Sequence, residues 1–314
     1  MAERSCLPAR HLLIAAMLLG VASTSAARRK EPPLLPELVL DIADPVIEAE
    51  VAGMTLRLRV DLDRRDTIEL NPEAAARLPL PFEAGAGAEV GRVQVAERIA
   101  AAKVRVGGVE IGRTVTVFDR PCCAGADGAV GPDLLPYAPV RFVRSGDTGA
   151  GATLHLSLTR SSEGGLAIET PTPSGKVFVR FSISYPRTLA TASAGAILAQ
   201  GYGGRLTGTG FRVSPAFGIE RPARTLTLAR PVTLAGFDVV ELPVRTADFG
   251  GGFKLPTEPV RPGDIVVRHR GPRPQAAWPS VLIGRERLDG CAEVVFRREP
   301  MALELRCDFM AGAR

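Results

Sequence analysis

Apolar residues recur at alternate positions in short runs along most of the chain, and a period of two predicts strands before any other property is considered. Leu56-Arg-Leu-Arg-Val60 sets three aliphatic side chains on one face and two arginines on the other. Val104 to Val106, Val109 to Ile111, Val115 to Phe118, Val140 to Val143 and Leu154 to Leu158 repeat the pattern between turn residues. Asn71 to Leu78 departs from it. There Asn-Pro precedes Glu-Ala-Ala-Ala, which predicts a short helix with Asn71 as its cap. Further on, Val177 to Ile183 predicts a strand and Ala192 to Gln200 a second short helix. Ile219, Leu226, Leu228, Val232, Leu234, Val239, Val240 and Val244 mark further strands. The expected class is mainly β.

Two stretches break the alternation and suggest boundaries. Leu12 to Ala22 is an apolar run after a basic start, followed by small residues at Thr24 to Ala27, so residues 1–26 read as a secretory signal peptide. The run is too short to span a bilayer comfortably. The expected location is periplasmic or extracellular, with no transmembrane association after cleavage. Residues 27–37 form a Pro-rich leader. The segment 161–175, with Ser-Ser-Glu-Gly-Gly and Pro-Thr-Pro-Ser-Gly, reads as a linker between blocks at 38–160 and 176–309.

The blocks share internal motifs. Val130-Gly131-Pro-Asp133-Leu-Leu135 precedes the strand Val140 to Val143, and Ile283-Gly284-Arg-Glu286-Arg-Leu288 precedes Glu293 to Phe296. Both read apolar-Gly-x-acid-x-Leu ahead of a strand. Val109 to Val117 is matched to Val232 to Val240 with one residue inserted. Together these predict a duplicated lobe.

In this order the residues resemble the pepsin and retropepsin superfamily of aspartyl proteases. Val51 to Val60 is similar to that family's first hairpin, and Asp61-Leu62-Asp63 stands in the place of its Asp-Thr-Gly. Ile68 to Leu78 resembles the following strand and helix. Ala129-Val130-Gly131 and Leu282-Ile283-Gly284 resemble the two segments that cross behind the catalytic turns. The resemblance covers roughly residues 38 to 308. It implies a two-lobed pepsin-like acid protease barrel architecture and a peptide or protein ligand held in an interlobe cleft.

That family's chemistry needs two carboxylates that share a proton, one from each lobe. Asp61 is the candidate catalytic residue of the first lobe. In the second, Arg187-Thr188-Leu189 is the closest match to the turn, and no aspartate occurs from Thr148 to Phe237. Leu62 replaces a hydroxyl that ties the family's turns together, and Asp63 replaces a glycine. The resemblance therefore implies a degenerate centre with proteolysis lost or weak. The alternatives are an active endopeptidase using Asp61 with an unidentified second acid, within the chain or across a homodimer, and a structural protein without ligand. With Asp61 placed in a polar turn, Asp61→Asn is expected to leave folding largely intact. Asp147-Thr148-Gly149 follows the crossing glycine and reads as a hairpin turn.

Four cysteines remain beyond the signal segment. Cys291 and Cys307 flank a predicted hairpin turning at Arg297 to Pro300, which favours a disulfide between them over two buried thiols. Adjacent Cys122 and Cys123 stay unassigned. His155 and His269 stand apart from the cysteines and from each other, so no metal site and no cofactor is expected. Asp61-x-Asp63-x-x-Asp66 lacks the spacing of a calcium loop. Gly203-Gly204 and Gly250 to Gly252 lack a phosphate-binding context. The formal charge of +5 comes from scattered basic residues among acidic ones, which excludes a nucleic-acid groove. The oligomeric state is left open.

Overall fold

A computed structural model describes residues 33–64, 66–90, 93–146, 151–161, 165–246 and 278–309. The predicted signal segment, Asp147 to Gly149, Gly250 to Gly252 and His269 lie outside these residues. No described helix is long and apolar enough to cross a membrane.

The alternating runs of the first block close into a six-strand barrel. Strand Met54–Val60 lies between Val46–Val51, antiparallel to it, and Gly128–Val130, parallel to it. Gly128–Val130 pairs antiparallel with Ile68–Leu70, which runs parallel to Val109–Phe118. Glu97–Val106 then pairs with Val109–Phe118 and, through Glu50↔Arg105 and Val51↔Val104, with the first strand. Leu56, Leu58, Val60, Leu70, Val104 and Val115 fill the interior because the period of two turns them all inward. Helix α1 (Pro72–Ala76) follows Asn71, whose side chain makes no capping bond and points elsewhere.

The described residues between 165 and 309 repeat this pairing pattern before leaving the sheet. Gly175–Phe181 has Gly165–Thr172 antiparallel on one side and Ser280–Ile283 parallel on the other. Ser280–Ile283 pairs antiparallel with Leu189–Ala190, which runs parallel to Phe237–Arg245; Ile219–Leu234 and Gly204–Ala216 follow. Among the described pairings, no bond between the first and last strands closes this second sheet. Helix α2 (Ala192–Tyr202) packs on it, capped by Thr191, whose hydroxyl accepts from the Ala194 amide at 3.2 Å.

Two expectations need correction. Of the expected linker 161–175, residues 165–175 are no linker, since strand Gly165–Thr172 and its turn into Gly175–Phe181 belong to the second sheet. Pro171 and Thr172 are tolerated there because they lie at the outer end of a hairpin. The repeat of Val109 to Val117 in Val232 to Val240 is offset. Val104-Arg-Val-Gly-Gly-Val-Glu-Ile111 corresponds to Val232-Thr-Leu-Ala-Gly-Phe-Asp-Val239, each crossing a tight turn with positive φ at both central residues, Gly107-Gly108 and Ala235-Gly236. Such turns match the twist of the paired strands.

The last hairpin does not stay with its own block. Cys291–Arg297 and Ala302–Cys307 join Leu38–Asp41, Pro139–Val143 and Ala152–Ser157 in one five-stranded sheet. Val140 faces Phe296 across it, and Phe142 and Phe296 are fully buried. Leader residue Leu35 bridges to Tyr137 beside this sheet.

Candidate functional site

Two chain turns meet between the sheets, and register identifies them as equivalents. Asp61 follows strand Met54–Val60 and donates its amide to the carbonyl of Val130 at 3.0 Å. Ser182 follows strand Gly175–Phe181 and donates its amide to Ile283 at 3.0 Å. Val60 pairs with Val130, and Phe181 with Ile283. Thus Ser182-Ile183-Ser184 stands opposite Asp61-Leu62-Asp63, and the match to Arg187-Thr188-Leu189 is corrected. The sequence carried a signal for this: Leu58-Arg-Val-Asp-Leu62 and Val179-Arg-Phe-Ser-Ile183 share an apolar-Arg-apolar-x-apolar frame.

Asp61 is 1% exposed, not a solvated turn residue. Its Oδ2 accepts from the Ser182 hydroxyl at 2.8 Å and the Ser184 amide at 3.2 Å; its Oδ1 accepts from the Ile183 amide at 2.9 Å. The Ser182 oxygen itself accepts from the Tyr185 amide at 2.9 Å, so its proton is directed to Asp61. Three donors from the second turn therefore surround one carboxylate of the first, and such charge-assisted bonds are among the stronger ones. Leu62 and Ile183 are buried on either side, where their aliphatic bodies join the core.

The neighbouring acids are engaged separately. Asp63 is ion-paired with Arg180, whose guanidinium also donates to the Asp63 carbonyl at 3.2 Å and lies over the Trp278 ring at 5.0 Å. Burial pushes Arg180 down to about 10, although Asp61 opposes the shift and Arg245 adds to it. At neutral pH Arg180 remains charged. Asp66 and Asp133 share Arg160, the latter at 2.6 Å. Burial pushes the Asp133 carboxyl up against the pull of that arginine. The three carboxylates of the Asp61, Asp63 and Asp66 triplet thus have three different sets of partners.

The crossing glycines lie behind the turns. A Cβ on Gly131 would come within 2.5 Å of the Asp133 side chain, and one on Gly284 within 2.3 Å of the Arg187 carbonyl carbon. Arg187 and Thr188 are therefore backing residues of the crossing segment. The Thr188 hydroxyl accepts from the Gly284 amide at 3.3 Å, and its amide donates to Glu286 at 2.7 Å.

A second contact joins the blocks away from this joint. Hairpin Ala88–Val90 and Val93–Val95 buries Val90 and Val95 against Ile219, Phe118 and Phe217. Phe217 occupies a tight turn at φ 54°, unusual for a bulky residue, and its ring centroid is 4.6 Å from that of Phe118. The ring contact gives that turn a packing reason.

Of the other residues named from sequence, Cys291 and Cys307 are disulfide-bonded across the last hairpin, and Cys122 is bonded to Cys123. His155 is an exposed cross-strand neighbour of Glu304 at 3.3 Å.

No family model matches this chain, and no curated protein matches it. Among solved structures it is similar to EIAV protease complexed with the inhibitor HBY-793, at 19% identity and a TM-score of 0.25, over 29% of this chain and 84% of that one.

Proposed function

We propose that this is an exported, two-lobed aspartyl-protease-like protein that binds an extended peptide without hydrolysing it. The observation that carries this reading is Ser182, which stands in the register of Asp61 and donates a hydrogen bond to it. Acid proteolysis requires one carboxylate to activate water while a second protonates the scissile carbonyl. A serine hydroxyl does not supply the shared carboxyl proton, and Asp61 is closed to solvent with both oxygens accepting hydrogen bonds. Asp63 is committed to Arg180. The Asp61–Ser182 pair serves as a joint between lobes.

Peptide binding is supported by the edge of the second sheet. Among the described residues Gly204–Ala216 ends the strand order, and a sheet edge offers backbone groups to an added strand. A surface cavity of about 340 Å³ lined by Phe211, Arg212, Pro222 and Thr246 lies beside that edge and would seat one side chain. A ligand-free structural role is the second reading, favoured by the closure of Asp61. Incubation with denatured protein at acidic and neutral pH should give no cleavage that Asp61→Asn abolishes. Peptide-library binding should be measurable and weakened about tenfold by Phe211→Ala. Asp61-dependent cleavage would overturn the first half of the reading, and absence of any peptide binding the second.

A further inference from the structure

The two disulfides differ in reach. Cys291–Cys307 spans 16 positions and ties the ends of a hairpin, whereas Cys122–Cys123 spans one. In the chain-entropy account a cross-link stabilises by restricting the unfolded chain, and the effect grows with the loop enclosed. A bond between sequence neighbours encloses almost nothing, so it is not a staple.

The loop carrying it is held by other means. Asn71, freed from capping α1, uses its whole side-chain amide there. Its Nδ2 donates to the carbonyls of Cys123 at 2.9 Å and Ala126 at 2.8 Å. Its Oδ1 accepts from the amides of Cys122 at 2.8 Å and Cys123 at 3.2 Å. At the far end of the loop, Asp127 accepts from the Arg57 amide at 2.9 Å and from Arg77 at 2.7 Å. None of these bonds involves sulfur, so none of them is itself broken when the S–S bond opens. Cys123 is buried and Cys122 half-buried, so Cys122 is the more exposed residue of the pair. The Cys122 sulfur lies 3.7 Å from the Glu69 carbonyl, an acceptor already in place for a thiol proton.

We propose that Cys122–Cys123 is a reversible thiol–disulfide exchange site for low-molecular-weight thiols, with Cys122 as the sulfur attacked. An incoming thiolate forms a bond to Cys122 Sγ while the Cys122–Cys123 bond breaks, and the electron pair leaves on Cys123, which takes a proton from water. A second thiolate attacks the sulfur of the first thiol in the mixed disulfide and releases Cys122, which is then protonated. Two electrons pass to the protein, and the two small thiols depart as their disulfide. This inference is independent of peptide binding.

Wild-type folded protein equilibrated in glutathione redox buffers, acid-quenched, alkylated and mapped by mass spectrometry tests it. The expected result is joint appearance of Cys122 and Cys123 thiols, with Cys291–Cys307 intact and the circular dichroism unchanged. Oxidised glutathione should modify Cys122 in Cys123→Ser about tenfold or more faster than Cys123 in Cys122→Ser, as access dictates. Reduction of the adjacent pair only in denaturant, its reduction only together with Cys291–Cys307, loss of fold on reduction, or equal modification of the two sulfurs would each overturn the proposal.

Discussion

The turn after Val60 and the turn after Phe181 occupy the same topological place, yet one ends in a carboxylate and the other in a hydroxyl. Two acids at such a site repel and must share a proton, which is the basis of acid catalysis. An acid facing a hydroxyl and two amides has no such conflict and becomes an acceptor for its neighbours. The difference teaches that a fold able to bring two turns together can use the meeting for chemistry or for cohesion. In the proposed reading, the residue opposite Asp61 decides which.

The largest expected effect comes from removing the acceptor. Asp61→Ala would strand the Ser182 hydroxyl and the Ile183 and Ser184 amides in a dry site, costing about 3 to 5 kcal/mol in denaturant unfolding. Asp61→Asn presents an N–H₂ to at least one donor, so a loss of about 2 kcal/mol is expected, against the tolerance that a solvated turn implied. A loss below measurement error for both would show that the turns do not hold the blocks together.

The crossing glycines offer the next contrast. Gly284→Ala drives a methyl into the Arg187 backbone, whereas Gly131→Ala first meets the side chain of Asp133. Backbone yields less than a side chain. Gly284→Ala should therefore cost about 3 kcal/mol and Gly131→Ala about half of that, read by thermal unfolding. The reverse order would mean that the two crossings are packed differently from this description.

Ser182→Asp tests the comparison directly by making the turns alike. The new carboxyl beside Asp61 would hold a proton more tightly folded than unfolded. Its stabilising share is thus present below the ordinary carboxyl range and is lost as pH rises through the raised value. Stability relative to wild type should fall by about 2 kcal/mol between pH 4 and 7. A flat difference across that range would rule out close approach of the two carboxyls. The smallest effect belongs to the shared sheet. The Arg297 hydrogen bond and charge hold the Glu304 carboxyl below its usual range. Its contribution is present above the unfolded carboxyl value and fades as pH falls through the lowered one. Glu304→Gln should cost about 0.5 kcal/mol at neutral pH and nothing in strong acid, since the pair is near the surface.

Much of the architecture was legible because strand alternation and helix-forming runs are local properties. Leu56 to Val60, the Asn71 helix and the Ala192 helix needed only their own residues to be read. Gly165–Thr172 is not legible as a strand because glycine and proline at a hairpin's ends look like a linker until its partner strand is known. The role of Asn71 is hidden for a related reason: its amide is satisfied by a loop some 50 positions away. Ser182 is not legible as the partner of Asp61 because serine has no local signature of such a turn, although its flanking frame matches that of Asp61.

The sequence by itself determined the strand periodicity, the paired crossing motifs and the lack of any aspartate from Thr148 to Phe237. Only the tertiary structure decided that Ser182 faces Asp61, that the last hairpin leaves its block for a shared sheet, and that Asn71 serves the cysteine loop. Periodicity follows from each residue's neighbours along the chain. Apposition depends on which distant strands pair, and no local pattern specifies that.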